Sequence, residues 1–226
     1  MMRAIAALGL AAILGGASAA PAISPQAPAT SGIDRTQLID NATVTVTRLH
    51  FAVGAAETTH THAFPLLIIP ITDGTMNVRQ GDLIKVGERA GETFFVPAET
   101  PHAASNRAGK AMDLIAVAIK PTRPKAPAAP ATAAPPGITR TTILDNDVVR
   151  VVLAKYAPEG REPMHTHPND LLTIQMTAGL VEITNGSEKS TSVRQPGFVL
   201  FVPRNVSHAY ASADTKPFEL ISVAIK

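Results

Sequence analysis

Short apolar stretches separated by turn formers set the pattern of this chain. Residues 43–47 alternate threonine with valine, a period of two that fits a half-buried strand. Residues 66–71, 93–96 and 114–119 are short, nearly continuous apolar runs, and they recur as 171–176, 199–202 and 220–225. Asp73-Gly74, Gly81-Asp82, Asn185-Gly186 and Pro196-Gly197 separate the runs. No stretch of 11 or more residues holds a helical period. The pattern predicts an all-β protein of many short strands, folded as small barrels or sandwiches.

The pattern occurs twice. Ile33-Asp-Arg-Thr-Gln-Leu-Ile-Asp-Asn41 returns as Ile138-Thr-Arg-Thr-Thr-Ile-Leu-Asp-Asn146, and Lys110–Lys120 returns as Lys216–Lys226. Each unit is about 88 residues, which suits a compact domain. Two tandem domains are therefore expected, at 33–120 and 138–226, because two copies are too few for a solenoid. Residues 121–137 are rich in proline and alanine and read as an extended, semi-rigid linker. Residues 21–32 have the same character and read as a loose N-terminus of the mature chain.

The first 20 residues fit a removable signal peptide. Arg3 supplies the positive start, residues 4–16 are apolar or glycine, and Ala17-Ser18-Ala19 makes a small-residue cleavage site. The apolar run is too short for a stable membrane span. No cysteine follows for lipid attachment, and no arginine pair precedes for twin-arginine export. A periplasmic or secreted protein is expected, with no membrane contact after cleavage. The chain has no cysteine, so disulfides contribute nothing to its stability. Its formal net charge of +2 falls to +1 when Arg3 is removed, and no basic cluster stands out, which gives nucleic-acid binding no support.

Histidine carries the chemistry. Six of the seven histidines form two copies of one constellation: His60, His62 and His102, then His165, His167 and His208. The pairs stand 105 residues apart (60 to 165) and the lone histidines 106 (102 to 208). Residues two apart on a strand share a face, so both imidazoles of a pair enter a barrel interior together. A third histidine from a neighbouring strand, after the bend at Pro97 or Pro203, completes a facial cap with open positions, as a catalytic metal requires. No Cys–His or Ser–His–acid nucleophile system and no phosphate-cradling glycine loop is present.

At these residues the chain resembles the cupin superfamily. Gly54-x5-His60-x-His62-x4-Leu67-x6-Gly74 is similar to the first cupin motif and Gly91-x5-Pro97-x4-His102-x3-Asn106 to the second. The other copy runs Gly160, His165, His167, Leu172, Gly179, then Gly197, Pro203 and His208. The resemblance implies a bicupin: two tandem double-stranded β-helix (cupin or jelly-roll) barrels, each holding one metal. The family's glutamate ligand falls at Leu67 and Leu172, the glycine expected after the proline at Glu99 and Asn205, and the terminal asparagine at Asn106 but Ser212. Three neutral imidazoles leave a divalent ion its full charge, which disfavours manganese and leaves iron, zinc, copper and nickel open.

Asp170 has Pro65 as its counterpart, whereas Glu57 and Glu162 recur three residues before each pair. On a regular strand that odd separation turns both glutamates outward, so they are read as surface residues. His50, opposite Lys155, is read as solvated. Phe94 and Phe95, opposite Leu200 and Phe201, are read as core. Arg204 and Tyr210 occur only in the second copy, opposite Ala98 and Ala104; they are placed at the surface, the alternative being an anion-binding or hydroxyl contact to the second site. Leu67, Ile69, Leu172 and Ile174 are expected to wall the sites and to suit a small apolar substrate. By resemblance the chain is expected to be a non-haem metal-dependent dioxygenase acting on a small organic substrate. The alternative is a non-catalytic periplasmic protein that binds metal or a small ligand, favoured by the lack of an evident proton-transfer group. A homodimer is compatible with the resemblance.

Overall fold

The computed structural model describes residues 32–121 and 134–226. The expected signal peptide and N-terminal segment fall almost wholly outside the described residues, as does most of the expected linker. Among the described residues every regular element is a strand, and no helix is long and apolar enough to cross a membrane.

The first half contains β1 (Ile33–Asp40), β2 (Val44–Phe51), β3 (Leu66–Pro70), β4 (Met76–Gln80), β5 (Leu83–Gly87), β6 (Phe94–Val96), β7 (His102–Asn106) and β8 (Met112–Ile119). The second contains β9 (Ile138–Asp145), β10 (Val149–Tyr156), β11 (Arg161–His165), β12 (Asp170–Gln175), β13 (Gly179–Asn185), β14 (Glu188–Arg194), β15 (Val199–Val202), β16 (His208–Ser212) and β17 (Phe218–Ile225). Each half folds into one five-stranded sheet, ordered β1-β2-β8-β3-β6 or β9-β10-β17-β12-β15, and one smaller sheet, β5-β4-β7 or β14-β13-β16-β11. All pairings are antiparallel and equivalent strands occupy equivalent places. The result is two tandem double-stranded barrels: all-β as the pattern predicts, and of the barrel type that the cupin resemblance implies.

In each five-stranded sheet the central strands, β3 and β8 or β12 and β17, are covered on both faces, which is why they read as nearly continuous apolar runs instead of alternating ones. Side chains still alternate between two destinations. In β3, Leu66 and Ile68 enter the interior of the first barrel, while Leu67 and Ile69 point the other way. In β17, Phe218 and Leu220 enter the second barrel, while Ile221, Val223 and Ile225 point away. The outward sets from both halves meet in one core that includes Val46, Leu67, Ile115, Val151, Leu172 and Val223. Thr43 adds a polar link, its hydroxyl donating to the buried Asp170 carboxylate at 3.1 Å.

This packing corrects one expectation. Leu67, Ile69, Leu172 and Ile174 do not wall the histidine sites, because they belong to the core between the barrels. The residues that face the interiors are their neighbours, Leu66 in the first barrel and Leu171 in the second. These too are leucines, so no carboxylate ligand comes from β3 or β12 in either register.

Candidate metal centres

Backbone pairing assembles each histidine set. His60 and His102 face each other across an antiparallel bridge, exchanging N–H···O bonds of 2.9 Å in both directions. His165 and His208 are direct partners in the β11–β16 ladder. Side chains of such a pair stand side by side on one face. The turn after each proline then pins the middle histidine: the amide of Glu99 donates to the His62 carbonyl at 2.8 Å, and that of Asn205 to the His167 carbonyl at 2.7 Å. Both turn residues take a left-handed backbone, with φ of 55° at Glu99 and 62° at Asn205. These are the positions where the resemblance leads one to expect glycine, so the conformation is kept although its usual residue is absent.

The structure brings all six predicted histidines into two groups whose ligand atoms lie within 4.8 Å of one another. Four of the rings have a fixed tautomer. The Nδ1 atoms of His60, His102, His165 and His208 lie 2.8, 2.9, 2.7 and 3.1 Å from the carbonyl oxygens of Thr58, Thr100, Pro163 and Val206. A carbonyl only accepts, so Nδ1 carries the proton and Nε2 presents a lone pair to the centre of the group. Burial, followed by repulsion from the neighbouring rings, lowers His62 and His167 to about 4. His102 and His208 are lowered as well, mainly by burial. These four rings are therefore neutral at pH 7, as metal ligands must be.

A divalent transition metal fits these groups. His102 Nε2 is buried and has no hydrogen-bond partner, an orphaned lone pair that a cation would satisfy. The paired Nε2 atoms stand 3.1 Å apart in the first group and 3.0 Å in the second. Two ligands at about 2.1 Å from a metal span roughly 3.0 Å when they meet at a right angle, and roughly 3.4 Å in a tetrahedron. In each group this edge matches a pair of ligands that meet near a right angle.

The two glutamates correct a second expectation. Between Glu162 and His165 the ladder holds a bulge: three steps along β11 match two along β16, from Tyr210 to His208. The extra residue cancels the odd separation and turns Glu162 to the histidine face. Its carboxylate comes within 3.6 Å of His165 Nε2 and is paired with Arg140. Glu57 is likewise largely buried and paired with Arg35 at 2.9 Å. Neither is a surface residue. The signal that could have revealed this was the recurrence of arginine with glutamate, Arg35 with Glu57 and Arg140 with Glu162, at one spacing.

The two barrels differ inside. In the first, Phe51, Met76, Phe94, Met112 and Leu114 pack into one apolar cluster. In the second, a cavity of about 870 Å³ opens beside His165, His167 and His208, bordered by Tyr156, Leu171, Arg194, Leu200, Val202 and Tyr210 among others. Tyr210 is thus buried and borders the cavity, contrary to its expected surface placement, while Arg204 is half-buried outside it. Burial pushes the Tyr210 hydroxyl up to about 12, and burial followed by the nearby Glu162 charge raises Tyr156 further, so both remain neutral donors. Asp170 is drawn away from the histidines by Thr43 and the Arg204 amide. His50 is exposed and paired with Asp113, as expected of a solvated residue. Phe94 and Phe95 pack into the core, whereas Leu200 and Phe201 also border the cavity.

Fold and site define a class. The cupin-domain family model matches residues 152–224, and solved structures of the same two-barrel architecture superpose on nearly the whole chain. The second half thus matches the cupin domain by sequence, and both halves share the two-barrel cupin fold. It is similar to AerE from Microcystis aeruginosa at 13% identity and a TM-score of 0.69, covering 88% of this chain and 95% of that one. It is similar to a salicylate 1,2-dioxygenase from Pseudoaminobacter salicylatoxidans at 10% identity and a TM-score of 0.62, covering 81% and 71%. It is also similar to an oxalate decarboxylase from Bacillus subtilis at 11% identity and a TM-score of 0.60, covering 88% and 78%. At these identities the likeness establishes the fold alone. No curated protein matches the chain by sequence.

Proposed function

We propose that this chain is an exported bicupin whose second barrel is a non-haem metal-dependent dioxygenase acting on a small organic substrate. The observation that carries this reading is the cavity beside His165, His167 and His208, with the Glu162 carboxylate at its edge. It supplies a proton-transfer group that the sequence did not reveal and so weakens the purely ligand-binding alternative for this barrel. The similarity in fold to a dioxygenase supports it at the level of scaffold only. Export rests on the character of residues 1–20.

His165, His167 and His208 would hold the ion, which when bound supplies Lewis acidity and, if redox-active, a path for electrons between substrate and O2. The carbonyls of Pro163 and Val206 keep His165 and His208 in the ligating tautomer. Arg140 fixes Glu162, and the Glu162 carboxylate accepts a proton from a substrate hydroxyl or acidic C–H. The apolar walls at Leu171, Leu200 and Val202 exclude water from the reacting end. Both oxygen atoms of O2 enter the product, so no external reductant is needed. In the first barrel the purely apolar cluster around Phe51, Met76 and Met112 favours the second reading, a centre that binds metal without turnover.

The test is metal content by elemental analysis, then oxygen uptake on iron- and copper-reconstituted protein with a panel of β-diketones and aromatic acids. Uptake lost in His167→Ala but kept in His62→Ala supports the reading. Uptake that survives in His167→Ala, or two bound metals with no uptake across the panel, would sink it.

A further inference from the structure

One charged group in the second barrel has no role in the chemistry above. Arg194, the last residue of β14, is 5% exposed and borders the cavity. Its Nε is buried without a hydrogen-bond partner. Among the described residues its one hydrogen bond with another side chain is a long one, 3.3 Å from Nη1 to the Tyr210 hydroxyl. Phe198 and Tyr210 offer ring faces 4.7 and 5.5 Å from its guanidinium carbon. No carboxylate pairs with it among the described residues. Arginine stays charged, and ring faces replace only part of its lost hydration. A buried, unpaired guanidinium is costly, and its planar fork matches a carboxylate in two parallel bonds. In the first barrel the residue 105 positions earlier, Arg89, lies exposed, and Ala104 stands where Tyr210 does, so the feature belongs to the cavity-bearing barrel alone.

We infer that Arg194 and Tyr210 form a carboxylate-binding subsite, and that the ligand of the second barrel is a small carboxylic acid with an apolar body. The inference rests on the reading of this cavity as the functional site. Tyr210 follows His208 by two residues on one strand face, roughly 6.6 Å along the chain. An acid seated on Arg194 therefore lays its body along Leu171, Leu200 and Val202 and presents its far end to the histidines. The Tyr210 hydroxyl accepts from Arg194 and keeps its own proton for the ligand carboxylate.

The experiment measures binding by calorimetry to chelator-treated protein, whose histidine groups hold no metal, in a buffer free of carboxylates and low in chloride. The probes are benzoate, hexanoate and phenylpyruvate, each against its neutral amide. At least one acid is expected to bind roughly tenfold or more tightly than its amide, the range for a charge-assisted hydrogen bond. Arg194→Met is expected to abolish that preference while leaving the metal content on reloading unchanged. Arg194→Lys, which keeps the charge but not the fork, is expected to retain part of the preference and guards against a variant that fails to fold. No preference for any acid in the unaltered chain overturns the inference, as does a preference that survives in Arg194→Met or appears only with metal present. Because no turnover is read, preference without oxygen uptake upholds this subsite while refuting the dioxygenase reading.

Discussion

Replacing Leu172 by alanine tests the central claim of the packing, that this residue serves the contact between barrels and not the site. Leu172 is fully buried amid Leu67, Ile69, Ile174 and Val223, all from strands that are themselves covered on both faces. Rigid sheets on either side cannot collapse into the space, so the loss combines the transfer of the missing carbons with an unfilled cavity, about 2–5 kcal/mol. For a chain of this size each kcal/mol shifts Tm by roughly 2–4 °C, which gives a fall of roughly 4–20 °C. Leu171→Ala removes the same atoms one residue away, but there they border a cavity that is already open. Its expected cost is about 1–2 kcal/mol, and its expected effect is on ligand affinity. Calorimetric melting of both variants, with metal content measured alongside, decides the matter. The reasoning fails if Leu171→Ala melts as low as Leu172→Ala, or if Leu172→Ala keeps its Tm and alters ligand binding.

Four other outcomes follow from the site. His62→Ala is expected to lose one metal equivalent and His62→Ala with His167→Ala to lose both; elemental analysis showing full content in the double variant refutes the ligand assignment. In metal-free protein His62 and His167 sit at about 4 against an ordinary 6.5, so the unfolded chain binds the more protons between those values. Stability is then fully present above pH 6.5 and falls as pH drops toward 4, read as a urea midpoint that declines from pH 7.5 to 5 and flattens when both residues are leucine. A midpoint that rises over that window contradicts the burial of these rings. Glu162→Gln is expected to cut oxygen uptake roughly 10²–10⁴-fold with metal content unchanged; lost metal would make Glu162 a ligand instead. Glu99→Gly relieves a left-handed backbone that costs about 1 kcal/mol or more, partly offset by the greater freedom of the unfolded chain, so Tm is expected to rise by a degree or two and a clear fall would contradict it.

The strand pattern and the histidines were readable because each is carried by local spacing. A period of two and a repeat at 105 residues survive folding unchanged, and they led directly to two barrels and six converging imidazoles. What was misread depends on contacts that spacing does not encode. The bulge before His165 is a mismatch between two strands, invisible in either one alone, and it alone turns Glu162 inward. Leu171 and Leu172 are the same residue in the same apolar run; only the second sheet packed on their strand separates a cavity wall from a core side chain. Tyr210 was placed outside because its counterpart is alanine, yet it packs inside the second barrel with Tyr156 and Phe218.

That difference shows how one scaffold can carry two unlike sites. The central strands of the five-stranded sheets are held from both sides, so a change on their outward faces disturbs both barrels at once. The histidines are held by backbone pairing, by carbonyls and by the turns at Glu99 and Asn205, none of which involves the barrel interiors. The interior faces of the smaller sheets, with the residues they meet, are therefore free to differ without loss of either the fold or the ligand geometry. It is there that phenylalanine in the first barrel becomes Tyr156 in the second and alanine becomes Tyr210, and it is there that Arg194 is buried. Each change adds a polar atom to the second barrel, and all border one cavity, which makes the specificity of the molecule a property of that interior and its metal affinity a property of the frame common to both.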